Sequence, residues 1–229
     1  MMNVFDPLAL VKKYLVEKKV EERTYDLIVG RMSLIEEGIN RIERITSIDY
    51  PYYFIEPNLL IATSDIEYQQ YSIVYARTIP FCTSENRIKI VIQLSAPLVM
   101  YGLKGTIHSV LAHEFLHYLH ILKKIINLEV TSDNISNTLY ENSFSDNEKT
   151  LDFTTVFKGD AYLQKLMNKK FANGFNDSKL DKKTESSWIK KRLPMQKILI
   201  GDNFIKLPFS ALANTIVDDS LKNKILKFG

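Results

Sequence analysis

Residues 111–120 read LAHEFLHYLH, and His113-Glu114-x-x-His117 lies inside them. On one helix, His113 and His117 would stand roughly 40° apart around the axis and about 6 Å apart along it. Two imidazoles so placed can converge on one zinc ion. Glu114 falls on the adjacent face, where a carboxylate can take a proton from a metal-bound water without being a ligand. The same residues also suit a buried amphipathic helix anchored by Val110, Leu111, Leu122 and Ile125. The spacing points to metal-assisted water activation, with plain packing as the competing account.

Two ligands do not complete a zinc site, and the chain soon runs out of histidines. All four are His108, His113, His117 and His120. His108 lies about 140° round the helix from His113 and cannot share the site. His120 shares the face but sits about 4.5 Å beyond His117, as cleft wall or hydrogen-bond partner. A metzincin continuation fails, because His120 stands where Gly is required and Lys123 where a third His would be. The single cysteine, Cys82, excludes a cysteine-built zinc cluster and an internal disulfide. A carboxylate must close the site.

HEFLH with no later histidine, followed by a helical segment carrying glutamate, resembles the gluzincin metallopeptidases, most of all their compact minigluzincin type. The resemblance covers roughly residues 50–160 and implies a third zinc ligand from a Glu on the next helix. Glu141, in NTLYENSF, lies 24 residues after His117, past a short reversal loop, and is the favoured ligand. Glu148, in NEKTLD, competes with it. Its spacing to Asp152 is similar to a gluzincin pattern in which the Asp supports a ligand histidine, but Ser145-x-x-Glu148 is also a capping box. Asp146 or Asp152 would be the carboxylate that orients a ligand histidine.

These groups need elements to hold them. Apolar residues from Val11 to Ile45 recur at three- and four-residue steps, which predicts one long helix or a helical hairpin over the first 47 residues. Residues 68–79 are rich in aromatic and β-branched types, TSEN at 83–86 signals a turn, and RIKIVIQL alternates as a half-buried strand does. A hairpin of strands 68–79 and 87–95 follows from this. Gly102 and Gly105 mark a loop, and the motif helix runs from about Thr106 to Asn127. Further helices are expected near 134–144, up to Phe157, and over AYLQKLMNKKF. Residues 172–187 read as a polar loop, KILIGDNFIKLPF as extended, and the end as a helix.

Composition fits this picture. A chain of 229 residues with 45% hydrophobic and 25% charged residues suits a globular domain with a sizeable core. The first twenty residues lack the apolar centre of a signal peptide, and no stretch reaches membrane-spanning length. A soluble cytoplasmic protein is the expectation, with no membrane partner. Charge is uneven: residues 1–154 hold 15 Lys/Arg against 20 Asp/Glu, whereas residues 155–229 hold 15 against 7. A basic final third can attract nucleic acid or an acidic protein, although a solvated surface is the commoner outcome.

Other residues carry weaker signals. Cys82, beside Phe81 and Ile79, is either a thiolate that blocks zinc in a latent form or a small buried hydrophobe, and the second is favoured. Tyr140, Tyr162 and Arg192 are the groups available to stabilise an oxyanion. Trp188 reads as a packing anchor. The segment from Trp188 to Phe209 either crosses the cleft, keeping the protein latent, or packs on the core, and packing is favoured.

The expected architecture is α+β: a zincin-like core with a small mixed sheet, an active-site helix and a glutamate helix, flanked by N-terminal helices and a C-terminal extension. Its boundaries fall at residues 1–48, 49–170 and 171–229. The expected function is that of a zinc metallopeptidase acting on a peptide or protein substrate. His113, His117 and Glu141 would hold Zn²⁺, and Glu114 would be the general base toward a metal-bound water. A strand edge near 87–95 would pair with extended substrate. The alternative is a non-catalytic protein that binds nucleic acid or a protein partner through its basic C-terminal region.

Overall fold

The computed structural model describes residues 6–63, 71–127, 151–199 and 208–228. Three helices open the chain: α1 (Ala9–Val16), α2 (Glu22–Val29) and α3 (Met32–Thr46). The periodicity predicted one helix or a hairpin, and the backbone breaks it twice. Lys18 adopts φ 55°, and Arg31 leaves helical geometry at φ −114°, ψ 1°. Arg31, at the second break, donates from Nε to the Val99 carbonyl at 2.6 Å and from its guanidinium to the Gly102 carbonyl.

Two three-stranded sheets follow. In the first, β1 (Tyr52–Glu56) runs parallel to β5 (Ile88–Ser95), which pairs antiparallel with β4 (Ala76–Cys82). In the second, β2 (Leu59–Thr63) lies between antiparallel β3 (Tyr71–Val74) and parallel β6 (Met195–Leu199). The expected strand 68–79 is thus two strands in different sheets. The chain changes sheet at Tyr75, whose carbonyl accepts from the Ser95 amide and whose side chain is buried. Among the described residues the 87–95 strand is correspondingly the centre of its sheet, and β1 and β4 are its edges. Pro80 within β4 suits that place, because a residue without an N–H is tolerated where no outer neighbour needs one.

After β5, the Ser95 hydroxyl caps α4 (Ala96–Tyr101) by accepting from the Leu98 amide. The motif helix α5 spans Lys104–Asn127, close to its expected extent, with Gly105 in its first turn rather than in a loop. Then come α6 (Phe153–Val156), α7 (Ala161–Phe171), α8 (Ser178–Thr184), a π-helical turn over Glu185–Ile189, α9 (Phe209–Asn214) and α10 (Asp219–Leu226). The polar stretch expected to be a loop is therefore mostly helical. Asp177 caps α8, and Leu180, Thr184 and Trp188 are buried at four-residue spacing.

The fold is α+β, with α5 at its centre. That helix packs on α3, β4, α7 and α10. One hydrophobic core joins Val11 of α1 and Ile42 of α3 to Ile92 of β5, Phe115 of α5, Trp188 and Ile225 of α10, so the segments 1–48, 49–170 and 171–229 share it. Strand β6 makes the final segment a structural part of the second sheet. No helix among the described residues is long and apolar enough to cross a membrane.

Candidate metal centre

Four contacts fix α5. On the α3 side, Gly38 has no side chain to hold the helices apart: a Cβ there would lie 2.7 Å from Leu111 Cδ1 and 2.9 Å from His108 Cδ2. His108 faces α3, where its Nε2 donates to the Leu34 carbonyl at 3.2 Å. Burial lowers the pKa of this imidazole, which favours its neutral form. Tyr50 donates to the Leu111 carbonyl at 2.9 Å and stacks on Phe115. At the start of the helix, the Thr106 hydroxyl donates to Asp177 at 2.6 Å.

So held, α5 brings the two motif histidines together. His113 and His117 are both buried, and their Nε2 atoms lie 3.0 Å apart. At that distance one imidazole can donate to the other's lone pair, so a shared proton is one use of the pair. The other use is a metal. Two Nε2 ligands on a tetrahedral zinc, at about 2.0–2.1 Å each, stand about 3.3 Å apart. The pair meets that spacing with a shift of a few tenths of an ångström, and neutral imidazole is a fitting zinc donor. The residues present fit the group. Among the described residues no set of three His, Cys, Asp or Glu side chains is placed to hold a metal ion, so these supply two ligands.

Glu114 is buried beside them, and its Oε2 accepts from the Thr78 hydroxyl at 2.7 Å. That hydroxyl also lies 3.0 Å from the Glu114 carbonyl oxygen. Thr78 belongs to β4, opposite Ile92, on the face of the sheet that α5 covers. The sequence alone assigns no inward face to this strand, and the structure turns Ala76, Thr78 and Pro80 toward the core. A second residue that sequence reasoning missed is Phe171, at the end of α7. Its ring lies flat on His113 at a centroid distance of 4.0 Å, and Phe175 packs behind it at 5.3 Å. Stacking on the ring face leaves the in-plane Nε2 lone pair available.

Glu141, Glu148, Asp146 and Tyr140 lie outside the described residues. Asp152 is exposed and caps α6, accepting from the Thr154 amide at 2.9 Å. His120 is half-buried. Burial, with Lys124 and Lys123 nearby, pushes its imidazole down to about 4. Tyr162 is exposed, with the Arg41 guanidinium over its ring. Arg192 adopts φ 54° in the turn before β6. Cys82 is exposed rather than buried, because it ends β4 at the hairpin turn, with Sγ near the Thr83 carbonyl. It lies four residues along the strand from Thr78, about 13 Å away, which places it away from the histidine pair. Trp188 is the expected anchor, fully buried with Nε1 donating to the Pro194 carbonyl at 2.9 Å. No protein-family model, curated protein or solved structure matches the chain.

Proposed function

We propose that the chain is a zinc-dependent peptidase in which His113 and His117 hold the metal and Glu114 is the general base. The observation that carries this reading is the approach of the two Nε2 atoms to 3.0 Å, with Glu114 buried on the same helix. A bound zinc would supply Lewis acidity toward water and a peptide carbonyl. The protein's own groups do the rest. The neutral imidazoles present Nε2, and Phe171 holds the His113 ring plane. Glu114 accepts the proton of the attacking water and then gives it to the leaving amine nitrogen.

Substrate would lie along β4. Among the described residues it is an edge of the first sheet, and Thr78 on it touches Glu114, so an extended peptide added there would run past the base. An antiparallel edge strand beside the motif helix also supports a zincin-like core. Glu141 remains the favoured third ligand over Glu148, on the resemblance to gluzincins.

Metal analysis tests the reading. The purified chain should carry about one zinc, lost on His113→Ala. Glu114→Gln should keep zinc and lose hydrolysis of a casein-type substrate. Glu141→Ala should lose zinc and Glu148→Ala should keep it. A folded, zinc-free chain with salt-sensitive affinity for nucleic acid would overturn the reading in favour of the basic C-terminal region.

A further inference from the structure

We infer that Thr78 is a positioning residue for Glu114: its hydroxyl fixes the direction in which the base carboxylate points. The inference rests on Glu114 being the general base. The terminal torsion of a glutamate is broad, so a carboxylate at the end of three rotatable bonds does not choose one orientation by itself. Thr78 can choose it. Its side chain is β-branched and therefore stiff, and it is buried on a paired strand. At 2.7 Å the hydroxyl donates to Oε2, and toward the carboxylate that a general base requires such a bond is charge-assisted and stronger than one between neutral groups. The backbone carbonyl oxygen of Glu114 lies 3.0 Å from the same hydroxyl, so both acceptors within reach of that single O–H belong to Glu114.

The pattern of β4 supports a role beyond filling space. Thr78 faces inward opposite Ile92, a position where a hydrocarbon side chain would satisfy the core. Burying a hydroxyl there is unfavourable unless it has a partner, and Glu114 supplies one. A base that must meet a proton within hydrogen-bond reach gains from being held before substrate arrives. Thr78 also couples substrate binding to the base, because the strand that would pair with substrate is the one that grips the carboxylate.

Two substitutions separate this role from packing. Thr78→Val keeps the branched shape and removes the hydroxyl, whereas Thr78→Ser keeps the hydroxyl. In the zinc-loaded full chain, Thr78→Val should lower kcat by about 10- to 100-fold, the usual cost of losing a supporting hydrogen bond at a metal site. KM and zinc content should stay within about twofold, and Thr78→Ser should recover most of kcat. Crystal structures of the metal-free variants give a readout independent of activity. Glu114 should leave its β4-facing position in Thr78→Val and keep it in Thr78→Ser. Parental kcat in Thr78→Val, or a Ser variant no better than Val, would overturn the proposal. If the parent chain shows no zinc-dependent hydrolysis, the general-base reading fails by itself, and an unmoved Glu114 in crystals of Thr78→Val then overturns the positioning role as well.

Discussion

The phenyl ring of Phe171 and the imidazole of His113 lie face to face, 4.0 Å between centroids and 11° between planes. The ring plane of a histidine decides where its Nε2 lone pair points, so this stack sets the direction of a proposed ligand. Removing it should act on the metal as well as on the fold. Phe171→Ala is expected to cost about 2 kcal/mol, less than a fully buried Phe because the side chain is only partly covered. Zinc affinity should fall by about tenfold or more, as when other supporting partners of a ligand histidine are removed. Phe171→Tyr, which keeps the ring, should preserve affinity. Chelator competition beside thermal melts checks this; unchanged affinity in Phe171→Ala would show that His113 is held by other neighbours.

Gly38 governs how closely α3 approaches the motif helix. A methyl group there meets Leu111 Cδ1 at 2.7 Å and the His108 ring at 2.9 Å, inside van der Waals contact. Gly38→Ala should therefore destabilise the protein by about 1–3 kcal/mol, despite alanine's higher helix propensity. Gly30 is the control: its φ of −62° suits any residue, and the nearest atom to a Cβ is the Asp26 carbonyl oxygen at 3.3 Å. Gly30→Ala should change stability by less than about 0.5 kcal/mol. Equal melting temperatures for the two variants would refute the close approach.

The contrast between those glycines shows where the sequence was legible. The motif helix could be placed because it is long and its apolar period is strong, and β5 because its isoleucines alternate cleanly. Gly38 has its reason in a tertiary approach to Leu111 that no local pattern records. Thr78 was hidden for a related cause. Which face of β4 turns inward is set by its register with β5, which the residues of β4 alone do not record. Helix α8 was masked by its lysines, although Asp177 as cap and the spacing of Leu180, Thr184 and Trp188 were visible signals. The contact of Phe171 with His113 joins residues far apart in the chain and left no signal.

His120 provides a pH dependence with a definite sign. Its folded imidazole titrates at about 4, against an ordinary value of 6.5. Between those values the unfolded chain takes up the proton and the folded chain resists it, so falling pH favours unfolding. The contribution is fully retained above about pH 6.5 and lost progressively toward pH 4. Burial shifts His108 in the same direction. Melting temperatures of the metal-free protein should fall over this window, and His120→Gln should make the fall shallower. An identical slope in parent and variant would place the titrating groups elsewhere.

Asp177 ties the start of the motif helix to the end of α7. Its carboxylate accepts from Thr106 of α5 at 2.6 Å and from Lys170 at 2.5 Å, and it caps α8 through the Leu180 amide. The Lys170 and Asp177 side chains are both largely buried, so deleting either leaves a charge in poor solvent. Asp177→Ala should cost about 3–5 kcal/mol, the range for breaking one side of a buried pair. Lys170→Met should cost less, because Thr106 and the α8 amide still satisfy the carboxylate. The neighbour of Lys170 is Phe171, so both variants should also loosen the stack on His113 and weaken zinc binding. Denaturant titrations and chelator competition on the same samples test the linkage. If Asp177→Ala loses stability but keeps parental zinc affinity, the clamp supports the fold without reaching the metal centre.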